Sequence, residues 1–131
     1  MASQRRREIH VEGLQEPISH YAHGVIHGDY VFVSGCLATN DHGELVGGDD
    51  PAAQARQVLD NLAAILSAAG ASLASVLKVT VYLTDINDRP KINPVRQEFF
   101  GEARPASTLV EISKLALPGA LVEIDAVACI P

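Results

Sequence analysis

Residues 105–128 read PASTLVEISKLALPGALVEIDAVA and contain two runs in which apolar and polar side chains alternate. The runs cover 107–113 and 121–128, and a short turn with Pro118-Gly119 lies between them. Alternation with a period of two, bounded by proline and glycine, predicts two β-strands. We take this stretch as the element around which the rest of the chain is organised.

The second run places two acids beside aliphatic side chains on one face of its predicted strand. That face carries Leu121, Glu123, Asp125 and Val127, whereas the opposite face carries Val122, Ile124, Ala126 and Ala128. A carboxylate among apolar neighbours loses solvation, so its pKa rises and it can hold a proton. Alternation alone leaves two interpretations open: solvent-exposed acids, which is the commoner case, or an acid of a functional site.

Composition limits the function classes. The chain has 131 residues, 47% hydrophobic and 20% charged, which predicts one globular domain over residues 1–131 with a substantial core. A net charge of −6, with three Phe, three Tyr and no Trp, predicts no nucleic-acid partner, because such proteins need basic surfaces and stacking aromatics. The basic residues 5–7 precede no apolar run, and no run has membrane-spanning length, so we expect neither signal peptide nor membrane contact. Cys36 and Cys129 form no C-x-x-C pattern, which predicts reduced thiols and a cytoplasmic protein.

The most regular segment is a helix after residue 50. Asp50 is predicted to cap its N-terminus, Pro51 to occupy its first position, and Gly70 to end it in a left-handed conformation. Its apolar stripe has helical spacing and consists of Ala55, Val58, Leu59, Leu62, Ile65, Leu66 and Ala69.

The remaining elements complete an α+β pattern. Strands are predicted up to about Val11 and at 24–27, 30–35 and 76–84, with Gly28-Asp29 as a hairpin turn. After a connection over 85–91, Asn93-Pro94 repeats the cap-then-proline pattern and predicts a short helix over 95–100. The order of elements fits a sheet with two helices packed on one side. Both faces of 30–35 carry apolar side chains, so we expect a second copy of the chain to cover the face without helices.

Two groups of residues suggest a metal site and a nucleophile, but the sequence around each favours neither. His20, His23 and His27 have helical spacing, but glycines and β-branched residues predict extended chain there, so no metal site is predicted. Ser34-Gly35-Cys36 lies at a strand end, yet there is no G-x-S-x-G elbow, and Cys36 is interpreted as a small, partly buried thiol.

Several stretches, in order along nearly the whole chain, resemble the RidA family, also called YjgF (reactive intermediate deaminase A). They are YAHGV at 21–25, VSG at 33–35, AAQARQVLDNL at 52–62, AAG at 68–70, KVTVYLTD at 78–85, Asn93, EFF at 98–100, and 105–128. The helix motif AAQARQVLDNL is the most specific of these. The resemblance implies a chorismate-mutase-like α+β fold, a homotrimer, and small-molecule pockets in the clefts between subunits.

The resemblance also implies a reaction and a set of site residues. The best understood members hydrolyse imines and enamines such as 2-aminoacrylate to a 2-oxo acid and ammonia, without a cofactor. By resemblance, Glu123 positions the attacking water and moves a proton. Tyr21, Ser34 and Asn93 correspond to pocket positions, and the backbone carbonyl of Leu109 helps to orient the water.

One position departs from the family pattern. Deaminase members carry Pro-Ala-Arg, whose arginine binds the substrate carboxylate, whereas this chain has Ser107 after Pro105-Ala106. Serine cannot reproduce the charged, two-pronged contact of a guanidinium. Either the ligand lacks a carboxylate and binds Ser107 and Thr108, or another cation, Arg96 or Arg104, replaces the missing one. For each arginine, a solvent-exposed position is the simpler interpretation.

Three hypotheses for function follow. The first is a cofactor-independent hydrolase of imines or enamines with altered specificity, in which Glu123 is catalytic. The second is a trimer that binds a metabolite without catalysis. The third is an endoribonuclease or translation inhibitor, which the acidic composition makes the least favoured.

Overall fold

The computed structural model describes residues 5–131, and one six-stranded mixed sheet forms its framework. The strands are β1 (Arg7–Ile9), β2 (Gly24–His27), β3 (Tyr30–Cys36), β4 (Val76–Leu83), β5 (Ala106–Glu111) and β6 (Val122–Cys129). The helices are α1 (Pro51–Ala68) and α2 (Arg89–Phe100). The strand order is β1-β2-β3-β6-β4-β5, and β4–β5 is a parallel pair among antiparallel ones. The predicted α+β architecture is confirmed.

Helix α1 forms as its sequence predicts. Asp50 accepts a hydrogen bond from the Ala52 amide at 3.0 Å, and Pro51 begins the helix. All seven residues of the apolar stripe are buried. Gly70 ends the segment at a φ of +83°, a conformation that glycine adopts without steric cost. The stripe packs with the inner faces of the strands and with Ile92 and Val95 of α2 into one core.

Strand β6 is central in the sheet, between β3 and β4. Its inner residues Val122, Ile124, Ala126 and Ala128 are buried, while Glu123 and Asp125 lie half-buried on the outer face, as the alternation predicts. On the same outer face, Tyr30 and Phe32 of β3 are each 50% exposed. Strand β3 therefore has two apolar faces, of which this chain covers one.

The two strands of the 105–128 stretch are not neighbours. Strand β4 lies between β5 and β6, and β5 runs parallel to β4 at the sheet edge. The turn at Pro118-Gly119 therefore belongs to a crossover and not to a hairpin. The period-two pattern specified both strands but carried no information on which strand each one pairs with.

The predicted start of the second helix is wrong. Helix α2 begins at Arg89, with Pro90 in its first turn, and Pro94 lies inside it. Asn93 is a helical residue and not a cap; instead, Asp85 caps a short 3-10 turn over 86–88 by accepting from the Asn87 amide at 2.9 Å. The earlier start places Asn93 and Arg96 one turn apart on the same helix face.

Gln54 of α1 provides a test of how the loops around β6 are held. It is fully buried, its Nε2 donates to the carbonyls of Gly48 (2.7 Å) and Gly119 (3.0 Å), and its Oε1 accepts from the Leu121 amide (2.8 Å). We expect Gln54→Leu to lower the free energy of unfolding by about 2–4 kcal/mol, because buried backbone groups lose their partners. Urea unfolding measures this. The control Gln57→Leu, which removes only a bond to half-buried Asn61, should cost less than about 1 kcal/mol; equal losses would contradict the assigned role.

Candidate active site

Glu123 lines a cleft at the outer face of the sheet. The cleft has a volume of about 340 Å³, and Tyr21, Ser34 and Gly35 also line it. We call these four residues and their surroundings the acid cleft. Strand alternation directs the Glu123 side chain away from the helices, and the loop that ends at Tyr21 partly covers it. The structure thus brings together three of the predicted site residues: Glu123, Tyr21 and Ser34.

The acid cleft favours the protonated form of Glu123. Burial raises the pKa of this carboxyl above its usual 4.5, and the negative charge of Asp125 on the same face raises it further. Asp125 is itself held by Tyr82, whose hydroxyl donates to Oδ2 at 3.1 Å. Burial, followed by this bond and the two acids nearby, raises the pKa of Tyr82, so its proton stays in place to hold Asp125. A carboxyl in this environment is suited to exchanging a proton with a bound molecule.

Gly35 of β3 sets the position of the Glu123 carboxyl. A Cβ built on Gly35 would overlap Oε1 of Glu123 and lie 2.7 Å from its carboxyl carbon. The backbone of Gly35 is not in the left-handed region, so alanine is compatible with its conformation. Any larger residue here must therefore displace the Glu123 carboxyl from its position.

We expect Gly35→Ala to displace the Glu123 carboxyl while leaving the fold nearly as stable, since a flexible side chain can move. A misplacement of about 1 Å can lower a reaction rate about 10²-fold, so kcat should fall by about 10- to 100-fold. The measurements are imine hydrolysis and thermal unfolding of the same preparation. Gly24→Ala, on the neighbouring strand and likewise outside the left-handed region, adds a methyl group away from Glu123 and controls for a general effect of added methyl groups. Full activity in Gly35→Ala would show that the carboxyl position is not critical.

The other groups of the acid cleft are fixed by backbone contacts. The Ser34 hydroxyl donates to the Ala22 carbonyl at 2.6 Å, so its lone pairs remain available to a ligand. Tyr21 is 43% exposed, and its hydroxyl accepts weakly from the Ile18 amide at 3.4 Å. His23 Nδ1 accepts from the Val11 amide (2.9 Å), and its Nε2 donates to the Gln15 carbonyl (2.8 Å). His23, which belongs to the histidine cluster noted in the sequence, therefore ties down the loop instead of reaching a ligand.

Cys36 lies beside the acid cleft and is not a nucleophile in this structure. The thiol is fully buried, and burial, followed by the charges of Glu123 and Asp125, raises its pKa to about 12. The thiolate that nucleophilic chemistry requires is therefore absent at neutral pH. Cys36 is more deeply buried than the sequence predicts. Both Cys36 and Cys129 are free thiols, as expected.

Arg96 and Asn93 line a second, larger cleft on the helix side of the sheet. Its volume is about 710 Å³, and Phe100 and the turn 101–105 complete its walls. We call it the arginine cleft. The Arg96 guanidinium is half-buried, and its Nη2 donates to the Ser107 hydroxyl at 2.9 Å. Arg96 is therefore only partly exposed, whereas Arg104 is solvent-exposed, in agreement with the simpler expectation.

The remaining predicted ligand-binding residues lie on strand β5. Leu109 is half-buried and pairs with Val81. Thr108 lies on the opposite face from Ser107, and its hydroxyl accepts from Lys78 Nζ at 2.6 Å. Within this chain, Ser107 and Thr108 therefore cannot bind one ligand together through their side chains.

The two clefts lie on opposite faces of the sheet. Ser107 is in register with Val79, which is buried on the helix side, whereas Glu123 is in register with Tyr82 on the outer side. Strand β4 separates them. One chain thus holds two groups of predicted site residues that do not meet each other.

Within residues 5–131, no set of three His, Cys, Asp or Glu side chains is arranged to bind a metal ion. In the same residues, neither helix combines the length and apolar character that crossing a membrane requires.

The residues of both clefts lie within the part of the chain that is similar to known proteins. The family model described as Endoribonuclease L-PSP matches residues 13–130. A RutC family protein from Pyrococcus horikoshii is 46% identical over 121 residues, which is 92% of this chain and 94% of that protein. The 3-aminoacrylate deaminase RutC of Acinetobacter baylyi is 40% identical over 117 residues, 89% of this chain and 92% of that one. The crystal structure of the YjgF gene product from E. coli matches with a TM-score of 0.87 at 36% identity, covering 95% of this chain and 99% of that one.

Proposed function

Because the chain belongs to the RidA/YjgF family, whose model is described as Endoribonuclease L-PSP, we propose that it is a cofactor-independent hydrolase of imines or enamines. One observation carries the proposal: a half-buried carboxyl with a raised pKa, Glu123, lines a cleft on a rigid central strand. A relative that is 40% identical is named as a deaminase of 3-aminoacrylate, an enamine.

The proposed reaction converts a protonated imine and water into a carbonyl compound and ammonium. The ionised carboxyl of Glu123 accepts a proton from water while the water oxygen bonds to the imine carbon. The tetrahedral intermediate carries a hydroxyl and an amino group on one carbon. Protonated Glu123 then returns the proton to nitrogen, and the carbon–nitrogen bond breaks to release ammonia. The Glu123 carboxylate takes up the hydroxyl proton as that oxygen becomes the carbonyl oxygen, and passes it to ammonia, which leaves as ammonium. A raised pKa serves both steps, because the group must take up and release a proton at neutral pH.

We further propose that the reaction occurs between subunits of a homotrimer. In a trimer with cyclic symmetry, the acid cleft of one subunit can face the arginine cleft of the next. Two exposed features of the single chain support this arrangement: the edge strand β5, of which only Leu109 is even half-buried, and the apolar residues Tyr30 and Phe32. A neighbour at these surfaces would close the cleft against water and bring the Leu109 carbonyl toward the carboxyl.

The direct test is hydrolysis of imines generated in situ by an amino-acid oxidase. We expect the protein to accelerate release of ammonia and 2-oxo acid well above the spontaneous rate, without added metal or cofactor. If no imine in a varied set turns over faster, but a metabolite raises the melting temperature, the chain is a binding protein instead.

An endoribonuclease remains the second candidate because the matching family model carries that description. The net charge of −6 of this chain opposes contact with the negatively charged RNA backbone. RNA cleavage that falls steeply with salt and is lost in Glu123→Gln would favour this candidate over the hydrolase.

A further inference from the structure

The Arg96 guanidinium has no anionic partner in the part of the chain that the structure describes. Arg6 pairs with Glu8, and Arg56 pairs with Glu98. Arg7, Arg89 and Arg104 also have no ion pair, but they are solvent-exposed, whereas Arg96 is half-buried. No carboxylate of residues 5–131 lies within ion-pair distance of Arg96, although exposed Glu102 lines the same cleft. Burial alone lowers the pKa of Arg96, so the group loses hydration without gaining a counter-charge. A guanidinium in this state favours binding of an anion.

Ser107 holds Arg96 at the cleft wall. The bond from Nη2 to Ser107 Oγ is 2.9 Å and uses one of the five N–H donors of the guanidinium. The other donors have no partner among the described residues, so they remain available to a ligand. Asn93, one helical turn earlier, contributes an amide to the same wall, and Phe100 contributes an apolar surface.

We propose that Arg96 binds the carboxylate of the ligand, and that Ser107 orients the guanidinium for this contact. The inference rests on the proposed function and narrows it to imines and enamines that carry a carboxylate. It excludes the alternative in which Ser107 marks a ligand without a carboxylate, because that ligand would leave a half-buried guanidinium unpaired. The planar pair of N–H groups of the guanidinium matches the two oxygens of a carboxylate.

The positive charge of Arg96 reaches the surface around Ser107 although Arg96 lies on helix α2 and Ser107 on strand β5. Ser107 faces α2 because it is in register with buried Val79, and Arg96 extends from α2 toward it. A long side chain on the helix thus reaches the surface that an arginine at position 107 itself would cover. Arg104 lines the same cleft but is solvent-exposed and makes no bond to Ser107. Arg89, which is solvent-exposed at the start of α2 and does not line the arginine cleft, serves as the matched control.

The test compares two imines of equal size made in situ, one bearing a carboxylate and one bearing a neutral carboxamide. Arg96→Gln should lower kcat/KM for the carboxylate substrate about 100-fold and for the carboxamide less than about threefold. Arg96→Lys should lower kcat/KM for the carboxylate substrate only about tenfold, because lysine keeps the positive charge but loses the planar geometry of the guanidinium. Arg89→Gln should change kcat/KM for neither substrate more than about threefold. Loss of activity on both substrates in Arg96→Gln would indicate a structural role and overturn the inference.

Binding of pyruvate, with pyruvamide as the neutral control, separates this inference from the proposed function. Calorimetry should show that pyruvate binds wild type at least about tenfold more tightly than it binds Arg96→Gln, while Arg89→Gln binds pyruvate like wild type. If the wild type hydrolyses no imine but shows this pattern, the inference stands and the hydrolase proposal fails. If imines are hydrolysed and Arg96→Gln keeps the wild-type preference for carboxylates, the hydrolase proposal stands and the inference fails. Equal pyruvate binding by wild type and Arg96→Gln also overturns the inference.

Discussion

Glu123→Gln is expected to lower imine hydrolysis by roughly 10²–10⁴-fold while making the folded protein more stable at neutral pH. The loss of rate follows from the proton transfers, which an amide cannot perform. The gain in stability follows from the environment of the side chain, since glutamine preserves the shape of the carboxyl without its charge. Opposite changes in activity and stability are typical of a functional acid, because a structural acid would lose stability when its charge is removed.

The pH dependence gives the sign of the stability effect. Burial and the charge of Asp125 raise the pKa of Glu123 in the folded chain above 4.5, the ordinary value in the unfolded chain. Between these two pKa values the folded state binds more protons, so its stability falls as the pH rises through this window. Glutamine does not titrate, so Glu123→Gln removes this pH-dependent loss of stability. The melting temperature of Glu123→Gln should therefore exceed that of wild type at pH 7, and the difference should vanish as the pH falls below about 4.5.

Asp125→Asn is the companion variant, because it removes the other acid from the same face. Since the Asp125 charge raises the pKa of Glu123, the acid limb of the pH–rate profile should move to lower pH. The measurements are pH–rate profiles and thermal unfolding from pH 4 to 8. Wild-type kcat in Glu123→Gln would exclude the proposed mechanism. A destabilised Glu123→Gln would instead show that the carboxyl makes favourable contacts that its raised pKa does not reveal.

The sequence could predict elements whose signals are local. Helix α1 has a capping Asp50, a proline at its first position and an unbroken apolar stripe, and each of these acts within a few residues. The two faces of β6 follow from alternation alone. The acid on its outer face was identifiable as unusual from its aliphatic neighbours, and the structure adds the direction of its pKa shift and its close contact with Gly35.

Contacts between distant elements were not predictable in the same way. The Arg96–Ser107 contact requires that α2 begin at Arg89 and that β5 run parallel to β4, and neither feature has a local signature. The cap-then-proline pattern predicts a helix start at Pro94, but Pro94 lies in the second turn of α2, where it leaves the carbonyl of residue 90 without its helical partner. The most family-specific motif, AAQARQVLDNL, has a structural role. Its Gln54 and Asn61 side chains hold neighbouring loops through hydrogen bonds to backbone groups. A distinctive motif therefore need not contain the reactive group.

Mixing two inactive variants is expected to restore about a quarter of wild-type activity, if each site joins the acid cleft of one subunit to the arginine cleft of another. One parent is Glu123→Gln, which lacks the acid. The other is Ser107→Trp, whose large side chain fills the arginine cleft while Glu123 stays intact. A site is complete only where a Ser107→Trp subunit supplies the acid and a Glu123→Gln subunit supplies the arginine cleft. With equal amounts and random assembly each condition is met about half the time, which gives about a quarter of all sites.

The structural reason for this expectation is the separation of the clefts by strand β4, on opposite faces of one sheet. Co-expression of the two variants with different affinity tags, followed by tandem purification, yields only mixed oligomers, and native mass spectrometry gives their subunit number. Because a cyclic trimer that contains both variants has one complete site in three, this purified fraction should show about a third of wild-type activity. A Glu123→Gln, Ser107→Trp double variant mixed with wild type is the control, since it destroys both halves in one chain and cannot exceed the activity of the wild-type subunits present. Mixed oligomers of the single variants with no activity above their parents would show that a complete site forms within one subunit. A monomeric wild type would contradict the shared site altogether, because no second chain would then be present to supply the missing half.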